Sequence, residues 1–316
     1  MTTMDRRRFL SLSALTLAGA LVASTGCGTL AESTADGRRR FVRTPYGEVA
    51  CLMRGSGPAA LFLHGFPLNA DQWRDSIAAL APYRRCIAPD FLGLGFTRVA
   101  ADADVGPETQ VRMLVALLDA LGETNADVIA NDSGGAVAQL LLARHPQRVR
   151  TLLLTNCDTE IESPPAAMRA VIGLAKQGRF ADEWLADPAL ARSARGIGGM
   201  CYANPAHPTD AALRSYFTPL LSSAERKRRL HEYAIALERN ALAGIGPALA
   251  ASRAPVRIVW GMDDTIFSAA GADHLARAFG NSRGVRRLPN AKLFWPEERP
   301  DVIAAQARIL WESARA

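Results

Sequence analysis

The chain is poor in several features that mark other classes of protein. It has three Lys among 37 basic residues, five Cys and five His in 316 residues, and no low-complexity tract, heptad run or internal repeat. It has no Gly-rich nucleotide loop, and no pair of His or Cys has metal-site spacing. What is left is a globular protein of one or two domains, with no support for a cofactor or a metal ion.

Positive charge is concentrated near the N-terminus. The net charge is +6, and residues 1–43 alone carry +4, so the rest of the chain is close to neutral. A nearly neutral body lacks the basic surface that nucleic acids require. The charge distribution therefore gives no support to a nucleic acid partner.

The first 27 residues are typical of an export signal. Three Arg at positions 6–8 precede an apolar run from Leu10 to Ala23 that is too short for a membrane span. The segment resembles a twin-arginine signal peptide. Cys27 resembles the lipidated residue of a lipoprotein cleavage box, so ordinary cleavage and a lipid anchor both stay open. We expect an exported, periplasmic or extracellular protein, with residues 28–40 as a polar tether.

Short apolar runs alternate with helical patterns from about residue 41 onward. The runs lie at 59–65, 84–90, 126–132, 150–158, 255–264 and 284–289, and the helical patterns at 71–80, 107–121, 134–145, 269–279 and 301–311. Strands that alternate with helices predict an α/β fold, with a mostly parallel sheet covered on both faces. Ligands of such sheets bind beyond the carboxyl ends of the strands.

The segment 159–253 breaks this alternation, because it contains helical signals and no convincing strand. We expect it to form an inserted helical lid over the strand ends. The core would then consist of residues 41–158 and 254–316.

The stretch from Ala130 to Gly135 contains a candidate nucleophile. Small residues stand two positions before Asp132 and two and three positions after it. This spacing suits a reactive residue on a strained strand-to-helix turn, where larger neighbours would clash. Ser133 is the alternative nucleophile, although it would put Asn131 at a crowded position. An ordinary helix cap formed by Asp132 and Ser133 is a third interpretation.

The chain resembles the α/β-hydrolase superfamily over nearly all of residues 41–316. The matching motifs are HGFP at 64–67, PDFLGLGFT at 89–97, WGMDD at 260–264 and FWPEERP at 294–300. The resemblance implies an α/β-hydrolase fold with a catalytic acid at Asp264. An Asp at the elbow resembles haloalkane dehalogenases and epoxide hydrolases, whose carboxylate displaces a leaving group from saturated carbon. The resulting ester is then cleaved by water.

The resemblance also implies roles for other residues. The backbone N–H groups of Phe66 and Ser133 would hold the oxyanion while the ester is cleaved. His64 would brace the oxyanion loop, and lid tyrosines would act as acids. The candidates for the substrate pocket are His64, Tyr202, Tyr216 and Leu293, with Tyr233 as a further lid tyrosine.

The chain departs from these families at two places. Haloalkane dehalogenases have Trp directly after the nucleophile and Asn after the His-Gly pair, where this chain has Ser133 and Phe66. The usual halide donors are therefore missing. Leu293 stands where the catalytic His belongs, and no His follows His274. The usual general base is thus absent, a loss of about 10²–10⁴ in rate.

Other groups could replace the missing imidazole. His207 and His231 lie in the predicted lid and could point inward. A carboxylate, namely Asp158, Asp264 or Glu297, could serve as a weak base if burial made it more basic.

Three functional hypotheses follow. The first is an exported hydrolase that acts on a small apolar substrate, with Asp132 as the nucleophile and an atypical base. The second is a serine esterase that uses Ser133. The third is a binding protein that retains the pocket and has lost hydrolysis, which the Leu at position 293 favours.

Overall fold

A computed structural model describes residues 39–100 and 103–314 of the chain. The predicted signal segment 1–27, with the anchor proposed at Cys27, lies outside the described residues. Within the two described ranges, no helix combines the length and the apolar character that crossing a bilayer requires.

The tether predicted at 28–40 is too long at its C-terminal end. The first strand already begins at Arg39, which is buried. Its guanidinium forms ion pairs of 3.0 Å with Asp71 and 3.3 Å with Asp90. These pairs anchor the start of the strand to the core, a long-range contact that a polar sequence does not reveal.

One mixed sheet forms the centre of the described structure. Its strands are β1 (Arg39–Thr44), β2 (Gly47–Arg54), β3 (Ala59–Leu63), β4 (Arg85–Pro89), β5 (Arg98–Val99), β6 (Ala126–Asp132), β7 (Val149–Cys157), β8 (Val256–Gly261) and β9 (Ser282–Leu288). The order across the sheet is β1-β2-β4-β3-β6-β7-β8-β9, and β5 pairs with β2. The strands β3, β4 and β6 to β9 run parallel, whereas β1, β2 and β5 pair antiparallel. The mostly parallel sheet predicted from the six apolar runs is therefore confirmed, and the antiparallel edge is an addition to it.

Helices cover both faces of this sheet. The helices are α1 (Arg74–Leu80), α2 (Pro107–Ala120), α3 (Ser133–Arg144), α4 (Ala166–Lys176), α5 (Pro188–Arg192), α6 (Ile197–Cys201), α7 (Asp210–Leu221), α8 (Ala224–Ala236), α9 (Gly246–Ala251), α10 (Ala269–Ala278), α11 (Trp295–Glu298) and α12 (Pro300–Ser313). Successive strand residues point to opposite faces. Val128 accordingly packs in the cluster that includes α2, α3 and α10, and Ile129 packs in the one that includes α1 and α12. Every residue of β3 and β6 is buried, as expected for parallel strands covered on both sides.

The segment between β7 and β8 is helical and contains α4 to α9. It contacts the loops at the carboxyl ends of the core strands. The side chain of Lys292 donates to the carbonyl of Gly199, and the N–H of Phe294 donates to the carbonyl of Cys201. These contacts hold the helical insertion over the edge of the sheet where ligands of α/β proteins bind.

Candidate active site

Asp132 lies at the turn between β6 and α3. Its φ of 55° and ψ of −134° put a non-glycine residue in a strained backbone conformation. The residues that follow must be small. A Cβ on Gly134 would lie 2.5 Å from the carbonyl oxygen of His64, and one on Gly135 would lie 2.3 Å from the Cβ of Cys157. Close packing of β6 and α3 against their neighbours therefore enforces the turn.

Two backbone N–H groups hold the carboxylate of Asp132. The N–H of Ser133 donates to Oδ1 at 2.6 Å, and the N–H of Phe66 donates to Oδ2 at 3.1 Å. A Cβ on Gly65 would lie 2.7 Å from Oδ2, so the oxyanion loop needs glycine there to come this close. The elbow and the oxyanion loop thus provide one amide donor for each carboxylate oxygen.

Gln72 ties the oxyanion loop to the elbow strand. Its Oε1 accepts the N–H of Gly65 at 2.9 Å, and its Nε2 donates to Oδ1 of Asn131 at 2.7 Å. Asn131 in turn donates to the carbonyl of Leu293 at 3.0 Å. Sequence analysis missed Gln72, because nothing in its local pattern distinguishes it from a surface glutamine.

An apolar cavity of about 260 Å³ opens onto Asp132. This volume is near the lower end of the range of about 300–1,000 Å³ for small-molecule sites, so it suits a small substrate. Among the described residues that line it, Asp132 carries the only carboxylate. The walls come from the core loops and the helical insertion: Phe66, Pro67, Ala167, Met168, Ala170, Val171, Leu174, Phe180, Trp184, Leu185, Ala191, Ile197, Met200, Cys201, Phe217, Ile266, Leu293 and Phe294.

His64 was predicted to line the pocket, and this is wrong. Its buried ring accepts the N–H of Phe91 at Nε2, so the neutral ring has its proton on Nδ1, which donates to the carbonyl of Gly65. Burial lowers the pKa of His64 to about 4, which keeps the ring neutral at pH 7. Because both nitrogens are in use, His64 braces the oxyanion loop and cannot act as a base.

The lid tyrosines Tyr202 and Tyr216 were also predicted to face the substrate, and the structure contradicts this. Their hydroxyls donate to Oε2 of Glu297 at 2.7 and 2.9 Å, and neither residue lines the cavity. Arg74 pairs with the other oxygen of Glu297 at 2.7 Å. This buried cluster joins the lid to the core. Because both oxygens of Glu297 have partners in this cluster, Glu297 is not available as a general base.

Leu293 lines the cavity, and the candidate acid Asp264 follows β8. The carboxylate of Asp264 accepts hydrogen bonds from the side chain of Asn156 and from the backbone of Ile266 and Phe267. Burial raises the pKa of Asp264 to about 6. Asn156 also bonds both the N–H and the C=O of Gly261, so it fixes the Asp264 loop, a role that sequence analysis missed.

The described residues include no imidazole that hydrogen-bonds to Asp132. In the lid, His231 accepts the N–H of Ala181, and the ring of His207 stacks on Tyr202. His145 follows α3, and His274 lies on α10. The two lid histidines therefore have other contacts, and neither is placed as a base beside Asp132.

Two carboxyl groups at the strand ends, Asp158 and Asp264, influence the ionisation of Asp132. Burial raises the pKa of Asp132 well above its ordinary value, and the neighbouring Asp158 and then Asp264 raise it further. The two N–H donors act in the opposite direction. Burial also raises the pKa of Asp158 to about 7. Burial thus opposes ionisation at all three carboxyl groups.

In the part of the chain that the structure describes, no group of acidic, His and Cys side chains could hold a metal ion.

Comparisons with known proteins point to the same family as the geometry. The family described as the alpha/beta hydrolase fold matches residues 58–292. A haloalkane dehalogenase of Mesorhizobium japonicum is 47% identical over 94 residues, which is 30% of this chain and 30% of the relative. Haloalkane dehalogenase 2 of Mycobacterium bovis is 27% identical over 285 residues, which cover 84% of this chain and 92% of the relative.

Among solved structures, one described as an ancestral haloalkane dehalogenase has a TM-score of 0.71 and 27% identity. The match covers 88% of this chain and 100% of that one. The similarity thus extends over nearly the whole length of two of these three proteins, although it spans less than a third of the Mesorhizobium relative. The chain therefore belongs to the α/β-hydrolase fold family, among relatives that are dehalogenases and other hydrolases.

Proposed function

We propose that this chain hydrolyses a small, uncharged, apolar substrate through an ester formed on Asp132. One observation carries the proposal: the elbow presents a carboxylate to an apolar cavity, with a backbone N–H on each oxygen. In the first step, an oxygen of ionised Asp132 attacks a saturated carbon of the substrate. The leaving group departs with the electron pair of the broken bond, and an alkyl ester results.

In the second step, water attacks Cγ of the esterified Asp132. The N–H groups of Phe66 and Ser133 stabilise the oxyanion that develops there, and removal of one such donor typically costs about 10²–10³ in rate. The bond between Cγ and the alkyl oxygen then breaks, and the alcohol leaves. An oxygen atom from water remains in the carboxylate of the enzyme.

The relatives named haloalkane dehalogenases support an alkyl halide as one class of substrate. The side chains of Phe66 and Ser133 provide no N–H donor for the departing halide. A leaving group that needs no such pair, as in a strained epoxide or an activated ester, therefore belongs among the substrates to test.

The serine esterase hypothesis has less support. The hydroxyl of Ser133 lies 3.2 Å from the hydroxyl of Tyr233, and Ser133 is absent from the cavity walls. The binding hypothesis draws on a different observation. With Leu293 in the cavity wall, no described imidazole can activate water beside Asp132.

Intact-mass analysis after exposure to an epoxide, an alkyl halide and an activated ester tests the proposal. We expect a substrate-sized adduct that maps to Asp132, and product on longer incubation. The Asp132→Asn variant should form no adduct and lose at least about 10³-fold in turnover, as enzymes do when a nucleophile is removed. Unchanged turnover in this variant would refute the nucleophile. Stabilisation by a substrate with neither adduct nor product in the native chain would favour the binding hypothesis.

A further inference from the structure

We infer that Asp158 is the general base that replaces the missing imidazole when water cleaves the Asp132 ester. This inference rests on the proposed function, because it assigns a role in the second of its two steps. Three features of the described structure carry it: the place of Asp158 in the sheet, its few hydrogen-bond partners, and the charges around it.

Asp158 lies next to the elbow at the carboxyl end of the neighbouring strand. β6 and β7 are parallel, and Asp132 is paired with Cys157 in the register of the two strands. Asp158 is the next residue, and it is buried with 6% of its surface exposed. Of the carboxylates that act on Asp132, Asp158 has the strongest influence on its pKa, ahead of Asp264. The fold thus puts Asp158 next to Asp132, although Asp158 is not among the described residues that line the cavity.

Asp158 has more free acceptor capacity than Asp264 and Glu297, the other two carboxylates considered as the base. Asp264 accepts three hydrogen bonds that fix its loop, and Glu297 is enclosed by Arg74 and two tyrosines. The carboxylate of Asp158 has one partner from another side chain, Ser163, besides its own backbone. Since a carboxylate has about four acceptor positions, Asp158 can bind a water molecule without breaking a structural contact.

The groups that face Asp158 suit a base that works near neutral pH. They are Asp132 on β6, Glu162 in the following loop and Tyr233 on α8, while Asp264 after β8 acts on Asp132 from elsewhere in the site. Burial, with a further contribution from Glu162, raises the pKa of Asp158 to about 7, which is close to the optimum for proton transfer at physiological pH. Once Asp132 is esterified, its negative charge is gone. Ionised Asp158 then meets less repulsion just when a base is required.

The step balances without any other reactant. The oxygen of water bonds to Cγ of the ester, and the proton that it releases passes to Asp158. When the bond between Cγ and the alkyl oxygen breaks, Asp158 returns this proton to that oxygen. The alcohol leaves, and Asp132, formed as a carboxylic acid, gives its proton to solvent.

Rapid-quench mass spectrometry on the full chain separates the two steps. In Asp158→Asn we expect the adduct to form within about threefold of the native rate and to break down about 10²–10⁴ times more slowly, which is the usual contribution of a general base. The ester should therefore accumulate. Asp158→Glu should recover part of the rate. The matched control Glu162→Gln removes a neighbouring charge and retains the base, so its breakdown should stay within about threefold of native.

The pH dependence of ester breakdown distinguishes a base from a structural residue. In the native chain the rate should rise with pH and level off once Asp158 is ionised, and in Asp158→Asn this rise should vanish. If Asp158→Asn breaks down the ester at the native rate, or breaks it down more slowly with the native pH profile, Asp158 is not the base. Either result would still be compatible with an ester on Asp132. If no chain, the native one included, ever forms an adduct, the proposed function itself fails and this inference with it.

Discussion

The elbow region and the proton-transfer region of this site, which meet at Asp132, differ in how closely the fold constrains them. In the elbow, an added methyl group on Gly65, Gly134 or Gly135 would lie within 2.7 Å of another atom. In the proton-transfer region, formed by Asp158, Asp264 and Leu293, side-chain contacts fix the Asp264 loop, and the apolar side chain of Leu293 lines the cavity. Backbone packing thus fixes the shape of the elbow. The side chains at the neighbouring strand ends can be exchanged without a change in that shape.

The two regions also differ in their response to negative charge. The elbow offers two N–H groups to an anion. The other region adds buried carboxylates, and burial raises the pKa of both Asp158 and Asp264. The N–H groups of the elbow therefore offset part of the cost of ionising Asp132, whereas the carboxylates of the other region add to that cost. This contrast can be measured as a dependence of stability on pH.

The largest expected effect is a gain in stability for Asp158→Asn that depends on pH. The pKa of Asp158 is about 7 in the folded chain, against an ordinary value of 3.8. Because the folded state binds this proton more tightly, native stability should fall as the pH rises from about 4 to 7. Asparagine does not ionise. The free energy of unfolding of Asp158→Asn should equal that of the native chain below about pH 4. The variant should become more stable than the native chain as the pH rises to 7, and above pH 7 the difference should stay constant at up to about 4 kcal/mol.

Urea unfolding of the native chain and of Asp158→Asn at a series of pH values measures this difference in stability. Glu162→Gln is the control, since it removes a nearby, partly exposed acid and leaves Asp158 free to ionise, so most of the native pH dependence should remain. If the free energies of unfolding of Asp158→Asn and the native chain instead differ by the same amount from pH 4 to 8, folding does not raise the pKa of Asp158. The contrast between the two regions would then be lost.

A smaller effect is expected when an imidazole is introduced at position 293. Leu293→His adds an imidazole to the cavity wall beside the elbow. Hydrolysis of the Asp132 ester should become on the order of 10²-fold faster, the lower end of the range for acid–base catalysis, because Asp158 already supplies part of this rate. Single-turnover breakdown of the ester measures it. Leu293→Met is the control for size, and an equal rise in that variant would attribute the gain to packing.

The same contrast explains how much could be predicted from sequence. The elbow spacing around Asp132 and the apolar strand runs are local patterns, and local sterics fix what they form. The direction of Tyr202 is not local, because its hydroxyl donates to Glu297, 95 residues away. Gln72 and Asn156 also owe their roles to partners brought together by the fold. Buried polar groups must find partners, but a sequence does not say which ones.

The smallest expected effect concerns the hydroxyl of Ser133, next to Asp132. Ser133→Ala retains the backbone N–H that bonds to Asp132, and it loses the 3.2 Å contact with the hydroxyl of Tyr233. We expect hydrolysis within about threefold of native, and a loss of about 0.5–1.5 kcal/mol in the free energy of unfolding. Tyr233→Phe should lower the free energy of unfolding by a similar amount. Because each single variant breaks the same hydrogen bond, the double variant should lose less than the sum of the two. If Ser133→Ala instead abolishes hydrolysis while Asp132→Asn retains it, the serine is the nucleophile. The closely constrained elbow would then present a hydroxyl to the substrate, and the carboxylate of Asp132 would serve only to cap α3.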